Sequence, residues 1–469
     1  MNVKDYTPED VSFILGNDFK TAPMLHQGIT LIWAADKSRV MLWHDIGTGK
    51  TLTALYLHQL WGSERILVAC PNAVVESWAD QIREHTNSDY CLLTGPMDRR
   101  RALLKEQHSI YVVNHEAIPF LFGETVGKRW RPDLKAIFAA GFDGLIVDEV
   151  HYYKNQKAKR SRAMKEISQR VSKTIGMTGT PYGTGEEDLY SQYEVLGRAD
   201  LLGSRRKFLE KHFSCDYWNN WTIKPGERDV ILDRVEPCTL RYAKAECFDL
   251  PELVFEERRC DLSSEQKKII AGMVDGSGAT VKGKILTVPD TLNLGNRLAQ
   301  VAGGFVIERG DPVRLESNPK LDLLRSVLAE LLPVGKIIIF HSYVEEGRMI
   351  ESVLDVPFVS LRGEVKDKSC WKRFVDDDAI KILVAHPKSG GEGLNLQACS
   401  QIVFYSNGCW GAQVREQAVG RIWRHGQGSA CLVVDLIARD SIDEQRLDRM
   451  ADRADVAQAV LAYAQGFSG

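Results

Sequence analysis

Two stretches of this 469-residue chain carry the same rhythm, short apolar runs alternating with segments of helical spacing, and that rhythm constrains the fold more than any other feature. Strand-length runs separated by helix-length segments predict parallel strands, because parallel neighbours must be joined by a crossover, usually a helix. In the first half, strands are expected at 40–44, 66–70, 110–113, 145–148 and 174–177. In the second half they are expected at 336–341, 358–361, 381–386, 401–405 and 431–436. Between about residue 186 and residue 332 the pattern turns mostly helical and irregular, with the aromatic run WNNW and the Gly-containing break GMVDGSGATVKG. The expected fold is therefore α/β, two similar lobes with helical protrusions between them. No repeat of solenoid length is visible.

Composition narrows the class. At 44% hydrophobic and 26% charged residues, the chain has the make-up of a soluble globular protein. No apolar run approaches the ~18 residues of a membrane span, and the first thirty residues lack a basic segment followed by an apolar one, so neither a membrane nor a secretory signal is expected. The ten cysteines are scattered without a C-x-x-C, which points to reduced thiols in the cytoplasm. A net charge of −3 does not advertise nucleic-acid binding. Yet 154–173, KNQKAKRSRAMKEISQRVSK, sets eight Lys or Arg against a single Glu166. That asymmetry suits a phosphate backbone, and equally a solvated helix face.

The chemistry starts after the first expected strand. There HDIGTGKT leads into a helical pattern, the context that a nucleotide phosphate loop requires. Gly47, Thr48 and Gly49 let the backbone close around phosphates, Lys50 supplies a point charge, and Thr51 offers a hydroxyl to Mg²⁺. The strict pattern is broken, since His44 stands where its first Gly would be. LIVDE ends another strand with Asp148, suited to hold Mg²⁺ through water, and Glu149, suited to orient an attacking water. The run MTGTP, with Thr178 and Thr180, follows a further strand and by composition alone is a turn. Near the other end, QAVGRIWRHGQ spaces Arg421 and Arg424 so that both would lie on one face of a helix.

Taken in order, HDIGTGKT, ILVACPNAVVESW, VDEVHYYKN, MTGTP, IIIFHSY, GGEGLNL and QAVGRIWRHGQ resemble the two-lobed motor of helicase superfamily two, and more narrowly the Swi/Snf-type ATPases. The resemblance spans about residues 25–434. It departs locally at His44, at Val150 and in HPKSGGEG, whose wording is similar to compact bacterial and bacteriophage members.

The resemblance implies two RecA-like phosphate-loop lobes that use ATP and Mg²⁺. Gln27 would read the adenine edge, Lys50 and Thr51 would meet phosphate and metal, and Asp148 and Glu149 would hold metal and activate water. Gly393 and Asn395 fall in a motif that meets nucleotide and DNA, while Arg421 and Arg424, beside Gln417, match the arginine fingers. Such fingers stabilise charge spread over a phosphoryl group in flight, by roughly 10³–10⁵ in rate. With the loop on one lobe and the arginines on the other, hydrolysis would require closure. Candidates for DNA contact are Asn72, Asn114, His115, Lys154, Ser342, Arg362, Lys388, Ser389 and Trp410, any of which could instead cap a helix or close a turn. Arg241 and Lys244 resemble the element where the second lobe begins, which implies a division near residue 235, into 1–235 and 236–469. Trp218 and Trp221 could stack on bases or simply pack. The expected activity is ATP-driven translocation on duplex or branched DNA. Alternatives are strand separation on DNA or RNA, and an ATP-gated scaffold for replication, repair or defence partners in a bacterial or phage-infected cell.

Overall fold

The computed structural model describes residues 6–16, 19–181, 185–216, 221–274, 279–281, 284–286, 291–362, 370–390, 396–406 and 412–447. The chain divides into two compact units, the first running through Phe248 and the second beginning at Asp249.

The strands of the first unit are β1 (Arg39–His44), β2 (Ile66–Cys70), β3 (Tyr90–Leu92), β4 (Ile110–Asn114), β5 (Gly123–Val126), β6 (Arg129–Pro132), β7 (Gly144–Val147), β8 (Lys173–Met177), β9 (Phe213–Cys215), β10 (Trp221–Ile223) and β11 (Thr239–Tyr242). Seven of them form one parallel sheet in the order β11-β1-β8-β7-β2-β4-β3. Strand residues alternate between the two faces. Met41, Leu67, Tyr111, Leu145 and Val147 enter one core, and Leu42, Val68, Val112 and Ile146 enter the other. A sheet buried on both faces reads as unbroken apolar runs, which is why these strands are visible in the sequence. The β5–β6 and β9–β10 pairs stand apart as antiparallel hairpins.

The second unit contains β12 (Leu253–Cys260), β13 (Ala279–Val281), β14 (Lys284–Leu286), β15 (Phe305–Glu308), β16 (Asp311–Arg314), β17 (Ile337–Phe340), β18 (Phe358–Leu361), β19 (Ile382–Ala385), β20 (Gln401–Phe404) and β21 (Cys431–Ala438). Its six-stranded sheet, β12-β21-β20-β17-β19-β18, is also parallel. It too has a core on each face, with Ile338, Phe340 and Leu383 on one side and Ile337, Ile339 and Val384 on the other. The remaining pairs, β13–β14 and β15–β16, are hairpins.

The stretch expected to be mostly helical is mixed. It contributes an edge strand to each large sheet, β11 to the first and β12 to the second, as well as hairpins. The division between units falls at 248/249, later than the expected 235/236. The reason is pairing: β11 lies beside β1 from Met41↔Thr239 to His44↔Tyr242, so the segment after residue 235 completes the first sheet. Among the described residues, no helix is long and apolar enough to cross a membrane.

Candidate nucleotide site and nucleic-acid surface

The parallel strands of the first sheet bring their carboxyl ends to one edge, where open α/β sheets bind ligands. At the end of β1, Gly47 and Gly49 adopt φ of +87° and +78°, and Gly49 caps the helix Lys50–Leu60. A side chain at Gly49 would meet Gln27 Nε2 at 2.2 Å. Lys50 Nζ donates to the carbonyls of His44 (2.7 Å) and Asp45 (3.0 Å), so the ammonium lies within its own loop. Gln27 is buried; its Oε1 accepts from Met24 N at 2.9 Å and its Nε2 donates to Thr48 O at 3.3 Å. His26 Nε2 donates to the same carbonyl at 2.7 Å. Gln27 thus fastens the phosphate loop from the side. Asp45 Oδ2 accepts from Lys244 N at 2.8 Å, which ties the loop to the segment after β11. Thr51 follows in the first helical turn, half-buried.

Two strands along, Asp148 and Glu149 end β7. Trp78 Nε1 donates to Asp148 Oδ2 at 3.0 Å, and Asp148 N donates to Ala69 O at 2.8 Å. Glu149 takes a left-handed φ of +49°, a conformation that costs free energy for a residue with a Cβ and is often found at functional sites. Its Oε2 accepts from the Thr178 hydroxyl at 3.2 Å and lies 3.2 Å from His151 Nδ1, which is itself 3.1 Å from Thr178 Oγ1. The MTGTP turn is therefore wired to the acid pair. Burial and the neighbouring Glu149 charge hold the Asp148 carboxyl above the usual range. Burial acts the same way on Glu149, but the hydrogen bonds from His151 and Thr178 and the charges of His151 and Lys50 outweigh it and hold that carboxyl low.

Sequence reasoning missed Trp78 and His26. The helix Val75–His85 buries Val75, Trp78, Ala79 and Ile82, an i, i+3, i+4, i+7 stripe. A buried indole N–H on such a stripe needs an acceptor, and a strand-end carboxylate is one.

The DNA candidates of the first unit are placed unequally. Asn72 is exposed just after β2. Asn114 ends β4, its Oδ1 accepting from Arg100 Nη1 at 2.7 Å and its Nδ2 donating to Glu116 Oε2 at 2.9 Å. His115 is a correction: it is fully buried, 2.8 Å from the Tyr153 hydroxyl through Nδ1 and stacked on Tyr152, so it supports the surface from beneath. Lys154 is half-buried. The basic run is divided as well. Lys165 pairs with Glu194 and Arg170 with Glu166, each at 2.6 Å, and Lys173 donates to Lys37 O at 3.2 Å, while Lys157, Lys159 and Arg162 stay exposed. Trp221 packs against the core; Trp218 lies outside the described residues.

In the second unit, Ser342 follows β17. Its N–H donates to Glu346 Oε2 at 2.8 Å, and its hydroxyl lies 2.7 Å from Ser406 Oγ. Arg362 Nη2 donates to Glu351 Oε2 at 2.9 Å, and Lys388 is exposed. Gly393, Asn395 and Trp410 lie outside the described residues, as does the side chain of Ser389. Gln417 sits half-buried in the helix Ala412–Val419. That helix stops before the arginines, which corrects the helical-face expectation: Arg421 and Arg424 sit on consecutive turns after Gly420. Trp423 Nε1 donates to Pro251 O at 2.8 Å, and Gln427 Nε2 reaches the carbonyls of Cys399 (3.0 Å) and Gln397 (3.2 Å), so these two fix the turns. Arg424 is partly buried, and burial lowers its pKa. Among the described residues it has no carboxylate partner, and its Nε has no hydrogen-bond acceptor.

The SNF2-related domain matches residues 26–300 and the helicase conserved C-terminal domain matches residues 319–426. The chain is 23% identical to the TATA-binding protein-associated factor BTAF1 of Arabidopsis thaliana over 90% of its own length, but spans only 24% of that protein. It is also 23% identical to the p41 protein of Acyrthosiphon pisum secondary endosymbiont phage 1, covering 94% of this chain and 98% of that one. The solved Sulfolobus solfataricus SWI2/SNF2 ATPase core in complex with dsDNA aligns at 21% identity over 91% of this chain and 90% of that one, with a TM-score of 0.43. With more than half of its length matched by the SNF2-related domain, the chain belongs to that family of helicase-like ATPases.

Proposed function

We propose that this protein is an ATP-hydrolysing motor that moves along duplex DNA. The observation that carries the reading is the grouping, on one sheet edge, of the loop after β1, the acids after β7 and Thr178 after β8. The residues fit a polyphosphate: two glycines at positive φ, a helix N-terminus and an ammonium stand together. They also fit Mg²⁺, since Thr51 and Asp148 offer hard oxygen ligands and the metal keeps several waters of its own. When bound, Mg²⁺ supplies charge neutralisation on the phosphate oxygens.

The roles of the chain's own groups follow. Lys50 leaves the carbonyls of His44 and Asp45 to meet phosphate oxygens. Glu149, ionised and held by His151 and Thr178, orients the attacking water. Trp78, donating to Asp148 Oδ2, fixes the orientation of the carboxylate that would hold Mg²⁺. Arg424, a guanidinium with no carboxylate partner among the described residues, and Arg421 meet the charge that develops on the transferred phosphoryl group. Asn72, Asn114 and Lys154 in the first unit, and Ser342, Arg362 and Lys388 in the second, contact DNA phosphates, which give affinity without reading sequence.

The test is ATPase turnover with duplex, single-stranded and branched DNA and with RNA at several salt concentrations, joined to a triplex-displacement assay. Duplex DNA should stimulate turnover most, and ATP should drive displacement. Turnover that RNA or single strands stimulate better than duplex, or no displacement at all, would defeat the reading.

A further inference from the structure

Between β4 and β7 the first unit carries the hairpin β5–β6, which belongs to none of the motifs described so far. Its strands pair from Gly123↔Pro132 to Val126↔Arg129, joined by the two-residue turn Gly127–Lys128 with Gly127 at φ +63°. A glycine at that position of a two-residue loop suits the right-handed twist of a hairpin. The hairpin is anchored. Trp130 turns inward, its Nε1 donating to Pro119 O at 3.2 Å, and the Arg162 guanidinium lies 5.2 Å from its ring. Gly123 leaves room for that ring, since an added Cβ would stand 2.4 Å from it. At the base, Asp133 N donates to Phe122 O at 2.9 Å.

Strand alternation then puts Arg129 and Arg131 on the face opposite Trp130, and both are exposed. Arg131 pairs with Glu124 at 2.8 Å, directly across the hairpin. Lys128 at the turn and Arg129 beside it are exposed, with no carboxylate partner among the described residues. The hairpin packs on the helix Lys159–Ser168, which adds exposed Lys159, and Lys157 precedes it. In the helix Met97–Leu103, Arg101 donates to Phe120 O at 3.2 Å, just before the hairpin, and Arg100 holds Asn114 at the sheet edge. In a chain of net charge −3, exposed Lys128, Arg129, Lys157 and Lys159 form a local concentration of cations with no carboxylate partner among the described residues, on a fixed support where Arg131 pairs with Glu124 and Arg101 with Asp98.

We propose that the β5–β6 hairpin is an auxiliary clamp on the phosphodiester backbone of duplex DNA, with Lys128 and Arg129 as its contact residues. The inference rests on the DNA-motor reading and extends it to a surface outside the motor motifs. Duplex is favoured over single strands because the hairpin offers no stacking ring: single-strand sites combine charge with exposed aromatics, and Trp130 faces inward. Contact to phosphates alone predicts affinity without sequence preference and a measurable share of the salt dependence.

The experiment is anisotropy titration of a labelled duplex, and of a single strand of equal length, from about 50 to about 300 mM salt. It compares the full chain with Lys128→Ala/Arg129→Ala and with the charge-keeping Lys128→Arg/Arg129→Lys. The alanine pair should weaken duplex binding about tenfold at the lowest salt and make the log K against log[salt] slope shallower by about two, while the charge-keeping pair retains the original slope. A structural role would not move that slope. The proposal is overturned if the alanine pair binds duplex with an unchanged slope, or if its loss is equal or larger on the single strand. It is also overturned if duplex binding stays intact while binding to polyglutamate is lost, which would assign the hairpin to an acidic protein. Failure of the unsubstituted chain to bind duplex at any salt is a different result, and strikes the DNA-motor reading itself.

Discussion

A guanidinium that is partly removed from water and has no carboxylate beside it is costly to keep unless something anionic comes to it during function. Among the described residues Arg424 is such a group, held on a turn fixed by Trp423 and Gln427. Replacing Arg424 or Arg421 with Ala should leave ATP affinity within a few-fold while hydrolysis falls by about 10³. A nucleotide-binding titration beside single-turnover kinetics separates the two effects, and normal duplex-stimulated turnover in both variants would remove the finger assignment. Trp78 allows a finer test at the other end of the chemistry. Its ring is buried and its only polar atom donates to Asp148 Oδ2, so Trp78→Phe keeps an aromatic ring in the core while deleting the hydrogen bond. Partners of metal ligands typically contribute tenfold or more to metal binding, so half-saturating Mg²⁺ for turnover should rise by about that factor. An unchanged Mg²⁺ requirement would make Trp78 a packing residue and nothing more.

At the scale of elements, one side chain gathers several of them. Arg39, the first residue of β1, donates to Ser168 O (2.9 Å), Val171 O (3.1 Å) and Leu196 O (2.9 Å), and to the hydroxyls of Ser168 (3.0 Å) and Thr174 (3.1 Å). It thereby ties β1, β8 and the helices Lys159–Ser168 and Leu189–Leu196 at the end of the sheet away from the nucleotide loop. Arg39→Ala would strand three carbonyls, and should destabilise the first unit by about 3 kcal/mol. Arg39→Lys should recover only part, because an ammonium lacks the planar fork. A change under about 0.5 kcal/mol in denaturant midpoints for Arg39→Ala would show that water replaces these bonds. Much of this architecture was legible in the sequence because parallel strands are buried on both faces. The expected 66–70 and 358–361 coincide with β2 and β18, and most others fall within a residue or two at each end. What escaped had physical reasons. β11 and β12 are edge strands; β12 reads LVFEERRC and puts charges toward water, so no apolar run marks it. The hairpin β5–β6 is held by one tryptophan and a cation above it, contacts made with residues distant in sequence. In the site, the phosphate loop and the acid pair follow from local spacing, whereas the bonds from Trp78, His26 and Lys244 depend on which strands become neighbours.

At the scale of the whole molecule, each unit has its own cores, and each buries histidine where a charge is poorly tolerated. Burial is the main cause that holds His58 down to about 4 and His341 down to about 3, with His115 also near 3. In the unfolded chain each imidazole takes up a proton near pH 6.5. The folded protein refuses that proton until the pH is far lower, so acid favours the unfolded state. Stability from these groups is therefore fully present above about pH 6.5 and is lost as pH falls below it, down to the folded values of about 4 and about 3. Asp148 and Glu187 in the first unit and Glu346 in the second act in the opposite sense, since burial raises their carboxyls so that they take up a proton in the fold before the unfolded chain does, and they offset part of the loss. Between about pH 7.5 and about pH 5, each neutral histidine should contribute about 2 kcal/mol of destabilisation. His58→Gln should flatten the pH dependence of the first unit by that amount and leave the second unit's unchanged. His341→Gln should do the reverse. Denaturant melts at the two pH values, followed by calorimetry to resolve the two transitions, make the comparison. If both variants keep the original pH profile, these imidazoles take up protons within the fold, and the acid sensitivity has to be sought in the carboxylates.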